Sequence, residues 1–311
     1  MKTKYSKYIL LAIILLVPFI FLYIYNYSSY QEGFLDTIYQ KTIYLVWRNK
    51  IKNSGTNHGL GDKLRGAVFL YQYCNENKIN LKIDATDDIC SDYLKNVTSN
   101  DYPIIKGKPL INFGDQQIEK VKETIQNELL TKNDIYVYSN GWPNDLSDKD
   151  KEFAKKICEP VDSLTLEINE KMRDLPMNFG IQHFRFPDKV FKKDVDSTDI
   201  LFKKYYELLK SGYKSTDILF TNSNNFKKYA KETLGMKTID CNNALCKIEH
   251  IGESSEKESV KDSFVEFFII SKASYIKSHT CYEWPSNFVH WPAKMYNIPF
   301  DNVYVDEKNI V

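Results

Sequence analysis

Residues 58 to 66 read His-Gly-Leu-Gly-Asp-Lys-Leu-Arg-Gly, and this stretch decides the fold that we expect. An apolar run typical of a strand, 43–47, precedes it, and a run typical of a helix, 67–71, follows it. Glycines at such a junction let backbone N–H groups approach an anion closely, and the start of the helix adds partial positive charge. The stretch predicts either a binding loop for a phosphate-bearing or sugar ligand or a plain strand-to-helix turn.

The composition is that of a folded globular protein. The chain has 311 residues, of which 43% are hydrophobic and 27% charged, and its formal net charge is +1. This length suits one large or two medium domains. Basic and acidic residues are interspersed along the chain, so it lacks the basic stripe that tracks a phosphate backbone. We therefore expect no nucleic-acid partner.

The N-terminus carries an apolar run, Tyr8 to Tyr25, that contains no charged residue. As a helix it would span about 27 Å, close to the hydrocarbon thickness of a bilayer. Three lysines precede it, so the positive-inside rule keeps the N-terminus cytosolic. We expect a cytosolic tail at 1–7, a transmembrane signal anchor at 8–26 and a stem at 27–41, with the remainder in the lumen of the Golgi or ER. A cleaved signal peptide is the alternative.

Two further details fit translocation. Asn96-Val97-Thr98 is a glycosylation sequon, and the six cysteines of the chain would meet an oxidising lumen. Cys241 and Cys246 could close a small loop, although spacing alone does not determine pairing. The sequence has no Cys-x-x-Cys or His-x-x-x-His spacing, so we expect no metal site.

Beyond the stem, short apolar runs alternate with helical patterns, which predicts α/β layers. The predicted strands are 43–48, 80–84, 134–139, 178–184, 217–221, 237–240 and 273–277. The predicted helices are 61–77, 116–131, 148–158, 163–173, 198–211, 224–234, 260–272 and 284–296. Cys158-Glu159-Pro160 favours a connection between two α/β domains, 42–160 and 161–311. Ligands in open α/β sheets bind at the carboxyl ends of strands, so the loops after strands are the candidate sites.

The second half opens with a predicted strand that runs into a loop at residues 185–188. Alternation along the strand puts His183 and Arg185 on the same side. The planar fork of arginine suits a diphosphate, and one charged hydrogen bond is worth about 1.5–3 kcal/mol. The pattern predicts either a diphosphate contact by Arg185 or a structural ion pair between Arg185 and Asp188.

A third segment, 260–299, contains the triplet Ser278-His279-Thr280, which we expect to form a polar loop between a strand and a helix. Small hydroxyls at the end of a strand can bind phosphate oxygens through side chain and backbone. The same residue types are also ordinary in turns.

Taken in this order, the segments resemble the fucosyltransferase superfamily that makes α1,2, α1,6 and protein O-linked fucose. Residues 59–64 are similar to the family's Gly-Leu-Gly-Asn-Arg-Leu motif, and residues 183–188 to its His-x-Arg-Arg-Gly-Asp motif. Residues 219–223 are similar to its Thr-Asp-Asp strand end. Its acidic helix, apolar strand and serine-rich loop have plausible counterparts in Glu266, 269–273 and 278–280. The resemblance covers roughly residues 43 to 297.

The resemblance implies a GT-B-like fold, in which two Rossmann-like domains face a cleft. It also implies inverting transfer of fucose from GDP-fucose to a glycan or glycoprotein acceptor, without a metal ion or another cofactor. The donor-binding residues that it implies are Gly59, Gly61, His183, Arg185, Asn222, Glu266, Ser278, His279 and Thr280. Its catalytic candidates are Arg185, which would stabilise the departing diphosphate, and three candidate bases, Asp62, Asp188 and Asp194.

The chain departs from the family's middle motif at two positions. The second arginine of that motif is Phe186 and the glycine is Pro187, so the contact that this arginine makes in the family is missing. In the α1,6 branch an acidic residue shortly after the motif is the base, and the matching position is Lys193, next to Asp194. An anchored surface or virion glycoprotein that has lost catalysis is therefore the non-enzymatic alternative.

Two other enzyme classes share parts of the pattern. A metal-dependent GT-A glycosyltransferase needs an Asp-x-Asp at a strand end. Asp148-Lys149-Asp150 has this spelling but lies at a predicted helix start, where carboxylates favour the helix dipole. A membrane-anchored sulfotransferase would need a Gly-Thr/Ser-Thr type loop after its first strand, and the sequence has none there.

Within the opening stretch we expect the glycines, not the charges, to matter for the donor. Gly59 and Gly61 would let the first domain close on the donor, so bulky side chains there should weaken donor use and leave the fold intact. Lys63 and Arg65 are expected to be charges on the helix surface.

Overall fold

The computed structural model describes residues 41–48, 59–114, 116–191, 193–239, 251 and 257–306. The described strands are β1 Thr42–Val46, β2 Asn80–Asp84, β3 Ile111–Asn112, β4 Asp134–Tyr138, β5 Gly180–Arg185, β6 Ile218–Thr221, β7 Lys237–Thr238, β8 Tyr275–Thr280 and β9 Phe300–Tyr304. They form a four-stranded sheet of order β2-β1-β4-β3 and a five-stranded sheet of order β7-β6-β5-β8-β9. The strand pairs in both sheets are parallel.

Helices connect the strands, as parallel pairing requires. The described α-helices are α1 Leu60–Asn77, α2 Tyr102–Ile105, α3 Ile118–Thr131, α4 Asp148–Ile157, α5 Asp162–Met172, α6 Ile200–Gly212, α7 Asn224–Leu234, α8 Lys257–Ile270 and α9 Asn287–Tyr296. Two short 3-10 helices, Ile89–Asp92 and Asp188–Phe191, lie in loops. The α/β class with parallel sheets, predicted from the alternation of apolar runs and helical patterns, is confirmed.

The predicted elements exist, but some of their ends lie elsewhere. The strand predicted at 273–277 begins at Tyr275 and continues to Thr280. Two strands, β3 and β9, were not predicted. β3 has two residues, and β9 reads Phe-Asp-Asn-Val-Tyr, whose polar centre hides the strand pattern. Both are edge strands, where a strand can remain partly solvent-exposed.

The central strands are buried on both faces, which explains their apolar sequences. All five residues of β1 are buried, whereas the neighbouring edge strand β2 buries only Asp84. Parallel strands covered by helices on both sides read as continuous apolar runs. The run that precedes the glycine stretch therefore fixes the centre of the first sheet.

One hydrophobic cluster extends through both halves of the molecule. It contains Ile43 and Val137 from the first sheet together with Ile181 and Ile276 from the second. A separate cluster lies on the other face of the second sheet and is rich in aromatic rings. That aromatic cluster includes Phe184, Phe186, Phe202, Tyr205 and Phe226. The two sheets are thus joined through a shared core as well as through the chain.

The predicted membrane segments and one cysteine pair fall outside the described ranges. These are the tail at 1–7, the anchor at 8–26, most of the stem at 27–41, and Cys241 with Cys246. In the part of the chain that the structure describes, no helix combines the length and apolar character needed to cross a bilayer.

Candidate active site

Two central strands of the second sheet bring the predicted polar residues to one edge. Arg185 is the last residue of β5 and lies opposite Thr280, the last residue of β8. Two positions earlier, His183 lies opposite Ser278. The carboxyl ends of parallel strands meet at the same edge of a sheet, so Arg185 and Thr280 lie together at this edge, and His183 and Ser278 are buried next to them. The prediction that Ser278-His279-Thr280 is a loop is wrong, because the triplet completes β8.

His183 is a buried, neutral side chain in this site. Its Nδ1 lies 3.0 Å from the Ser278 hydroxyl oxygen. Burial, with the positive charge of Arg185 and His279 adding to it, lowers the pKa of His183 from 6.5 to about 3. At neutral pH this ring can orient a neighbour through hydrogen bonds, but it supplies no positive charge.

His279 lies on the opposite face of the sheet from Ser278 and Thr280, because successive side chains of a strand alternate. Its ring stacks on Phe184 at a centroid distance of 4.4 Å, within the aromatic cluster. Burial lowers the pKa of His279 to about 4, and its Nδ1 has no hydrogen-bond partner among the residues that the structure describes. The structure therefore separates this predicted donor residue from the other two members of the triplet.

Arg185 forms an ion pair with Asp188, three residues further on. The arginine is mostly covered, whereas the Asp188 side chain is 69% exposed. Two tyrosines hold this turn: the Tyr205 hydroxyl donates to the Arg185 carbonyl at 2.9 Å, and the Asp188 N–H donates to the Tyr282 hydroxyl at 3.2 Å. The ion pair that the sequence offered as an alternative therefore exists, at the edge of the site.

The departures from the family's middle motif have a packing explanation. Phe186 is fully buried in the aromatic cluster and packs edge-on against Tyr205 and Phe226. An arginine at this position would place its charge among aromatic rings. The position is structural in this chain, and Pro187 follows it at the start of the turn that carries Asp188.

Three other predicted residues use their polar groups in structural bonds. The Asn222 amide clamps Phe186 by accepting from its N–H at 2.8 Å and donating to its carbonyl at 2.9 Å. Asp194 accepts from the Ser223 hydroxyl at 2.6 Å and from the Asn225 N–H at 2.8 Å, at the start of α7. Glu266 pairs with Lys227 at 2.9 Å in the interior, where burial raises the pKa of Glu266 against the opposing effect of Lys227.

The glycine stretch brings the starts of α1 and α9 together. A Cβ at Gly61 would overlap the Cβ of Asn287 and lie 3.1 Å from its backbone carbon and oxygen. Beside this contact, the Asn287 amide donates to Asp62 at 3.0 Å. Within the described part of the chain, neither helix start has a side-chain cap. The first-turn N–H groups of two helices, with their partial positive charge, therefore lie close to the same junction.

This close contact corrects the expectation for Gly61. A bulky side chain at Gly61 cannot leave the fold intact, because it would push α1 away from α9. The packing around Gly66 is tighter still, since a Cβ there would overlap the carbonyl oxygen of Ser139, directly after β4. These two glycines are packing residues. Gly59 is the N-cap of α1, in an extended conformation.

The expectation that Lys63 and Arg65 are surface charges is wrong. The Lys63 ammonium is buried and pairs with the equally buried Asp88 at 2.5 Å. Arg65 is also buried; its Nε donates to the Asn140 carbonyl at 2.5 Å, and it lies 3.5 Å from Asp62. Both side chains hold α1 against the loops that follow β2 and β4.

In the described ranges, no cluster of three or more His, Cys, Asp or Glu side chains is found that could hold a metal ion. Asp148-Lys149-Asp150 starts α4. Asp150 and Ser147 form a capping box, and Asp150 also accepts from Gln72 at 3.0 Å. The carboxylate of Asp150 is therefore part of a helix cap.

Three residues near the site were missed from the sequence. Asn287 makes the contact across the helix starts, while Trp142 and Trp284 follow the carboxyl ends of β4 and β8 and are exposed. The signal for the tryptophans was available, because a large aromatic residue shortly after a predicted strand falls on the ligand-binding edge. Asn287 gives no such signal, since its partner Asp62 is 225 positions away.

The fold and the edge site together define a class: an α/β protein with two parallel sheets and polar residues gathered at strand carboxyl ends. No family model matches the chain, and no curated protein matches it in sequence. Solved structures do match. The structure of NodZ alpha-1,6-fucosyltransferase soaked with GDP-fucose matches with a TM-score of 0.54 at 11% identity, over 82% of this chain and 92% of that chain.

A structure of fucosyltransferase NodZ from Bradyrhizobium matches with a TM-score of 0.52 at 10% identity, over 81% of this chain and 92% of that chain. At sequence identities this low, the similarity shows a shared fold and nothing more. The fucosyltransferase-like fold that the sequence motifs predicted is confirmed.

Proposed function

We propose that this protein is a glycosyltransferase that transfers fucose from GDP-fucose to a hydroxyl group of a glycan or glycoprotein acceptor. One observation carries the proposal. On a fold similar to that of NodZ, Arg185 and Thr280 end the adjacent strands β5 and β8 at one edge, and Ser278 lies two positions before Thr280. The uncapped starts of α1 and α9 add partial positive charge.

An enzyme for this reaction must above all stabilise the negative charge of the departing diphosphate. As the bond from the sugar to GDP breaks, negative charge grows on the phosphate oxygens and positive charge on the sugar, and groups fixed beforehand stabilise it best. Arg185 would exchange its partner Asp188 for the diphosphate. Ser278 and Thr280, which are fully buried, would support the edge of the sheet behind the diphosphate. His183, which is neutral, would orient the Ser278 hydroxyl.

In an inverting single displacement, the acceptor hydroxyl attacks from the face opposite to the diphosphate and loses its proton to a base. We favour Asp62 as this base. Its side chain lies at the junction between the helix starts, is partly exposed, and is held there by Asn287 and Arg65. Asp188 is the counter-ion of Arg185, and Asp194 caps α7. We therefore assign structural or electrostatic roles to those two carboxylates.

Calorimetry with GDP tests the proposal. The full chain should bind GDP, and Arg185→Ala should weaken this binding by about 10- to 150-fold, the value of one charge-assisted hydrogen bond. Arg173→Ala, at an exposed position after α5, is the matched control and should bind as wild type does. Absence of GDP affinity in the wild-type chain contradicts the enzyme proposal and favours a fold that has lost catalysis.

A panel of nucleotide sugars then tests the donor and the base. Hydrolysis to free nucleotide diphosphate should be fastest with GDP-fucose. Asp62→Asn should lower kcat for transfer by about 100-fold or more, the usual contribution of a positioned base, with little change in GDP affinity. Asp188→Asn should act mainly on donor binding. The opposite pattern would identify Asp188 as the base.

We also propose that the protein is anchored in the Golgi or ER membrane through residues 8–26, with the enzyme in the lumen. The uncharged run from Tyr8 to Tyr25 and the lysines before it support this topology. Protease treatment of intact microsomes checks it: a C-terminal tag should be protected, and detergent should expose it. Cleavage of the tag without detergent would contradict the topology.

A further inference from the structure

Two exposed tryptophans lie where the two sheets present the carboxyl ends of their strands. Trp142 follows β4 and is 48% exposed, and Trp284 follows β8 and is 56% exposed. The other two tryptophans, Trp47 and Trp291, are buried. A tryptophan side chain combines a large apolar surface with a polar N–H, and two such rings at strand ends are suited to contact a ligand bound there.

The ring of Trp142 is held in place from behind. The Arg65 guanidinium lies over it, 4.2 Å from the ring centroid. The loop around it is fixed as well: a Cβ at Gly141 would lie 2.9 Å from the Phe69 ring, and the Asn144 N–H donates to Gln72 at 2.8 Å. One face of the indole is therefore covered, and the exposed half is a rigid surface.

Trp284 is also held by a neighbouring side chain, on the second sheet. Its ring stacks on Tyr282 with centroids 5.4 Å apart and an angle of 19° between the planes. Tyr282 is itself fixed, since its N–H donates to the Thr280 hydroxyl at 3.1 Å and its hydroxyl accepts from the Asp188 N–H at 3.2 Å. This indole also keeps one free face, next to the residues proposed to bind the diphosphate.

A continuous series of contacts joins the two rings through the proposed base. Arg65, behind Trp142, lies 3.5 Å from Asp62. Asp62 accepts from Asn287 at 3.0 Å, and Asn287 begins α9 three residues after Trp284. The two rings are therefore linked through the junction that contains Asp62, the proposed base.

We infer that Trp142 and Trp284 form the acceptor subsite and that the acceptor they bind is a carbohydrate chain. The inference rests on the proposed function. A pyranose ring has an apolar C–H face that stacks on an indole and a polar rim that forms hydrogen bonds. Polar groups accompany each exposed indole: the Arg65 guanidinium lies over Trp142, and Trp284 stacks on Tyr282, whose hydroxyl accepts from the Asp188 N–H. This pattern fits a sugar better than an apolar peptide or a lipid.

The test uses the full chain on an immobilised panel of linear oligosaccharides that includes chitotetraose, N-acetyllactosamine and mannotetraose. The oligosaccharide bound most strongly is then titrated against the variants, with tryptophan fluorescence as the second readout. Trp142→Ala and Trp284→Ala should each weaken its binding by about tenfold or more, as loss of a buried aromatic anchor does. Leu130→Ala, an exposed apolar residue on α3, is the control and should bind as wild type does.

The GDP affinity of the same variants separates this inference from the proposed function. It should stay within about twofold of wild type in both tryptophan variants. Failure to bind any oligosaccharide of the panel overturns the inference, as does unchanged oligosaccharide binding in both variants. A parallel loss of GDP affinity also overturns it, since the rings would then hold the donor. Oligosaccharide binding in a chain without GDP affinity contradicts the proposed function alone.

Discussion

Replacing Gly61 by alanine tests whether the glycine stretch exists for helix packing. The added Cβ would overlap the Cβ of Asn287 and lie 3.1 Å from its backbone carbon and oxygen, so α1 and α9 must separate at their starts. Overpacking of this kind costs about 1–3 kcal/mol. Alanine regains up to about 1 kcal/mol in helix propensity. We expect a net loss of about 1–2 kcal/mol in the free energy of unfolding.

A double-mutant cycle isolates the contact. Asn287→Gly removes the Cβ that alanine would overlap, so Gly61→Ala should cost about 1 kcal/mol less in that background than in wild type. Gly212→Ala is the control, because its Cβ would only touch the Lys277 ammonium at 3.6 Å and should be neutral or slightly stabilising. Urea unfolding of the full chain measures all four variants. Equal costs of Gly61→Ala in the two backgrounds would refute the packing argument.

Three further predictions concern buried groups near the site. Lys63→Met leaves the Asp88 carboxylate buried without its cation and should cost about 3–5 kcal/mol in urea unfolding, whereas Lys95→Met, at an exposed pair with Glu159, should hardly move the midpoint. Phe186→Arg should destabilise the fold by about 3–5 kcal/mol or more, and a soluble variant of wild-type stability would show that the position tolerates the family's arginine. Because the pKa of His183 falls to about 3 in the folded state, the unfolded chain binds this proton first as pH drops below 6.5. Stability should therefore decrease between pH 6.5 and about 3, by up to about 1.4 kcal/mol per pH unit for this side chain, and His183→Gln should flatten the dependence.

Local patterns were sufficient for the part of the site that parallel strands assemble. Arg185, Ser278 and Thr280 could be brought together from sequence, because each follows an apolar strand run and such strand ends share one edge. His279 could not be placed correctly while β8 was taken to end at 277. Once the strand is extended to 280, alternation alone moves this ring to the opposite face.

The partners of the charges on α1 could not be predicted from local patterns. Lys63 and Arg65 lie in a helical stretch that reads as amphipathic, and solvent is the default environment for such charges. Their burial depends on Asp88 and on the carbonyl of Asn140, which lie 25 and 75 positions away. The helix pattern specifies neither partner, so tertiary contacts decide whether these side chains are exposed.

The core shared by the two sheets has a consequence for the energetics of ligand binding. Because Ile43 and Val137 pack in the same cluster as Ile181 and Ile276, unfolding of one half should destabilise the other. A ligand that contacts only the second sheet would then raise the melting temperature of the whole chain. At a hundred times its Kd, GDP would add about 2.7 kcal/mol to the stability of strands that it never touches.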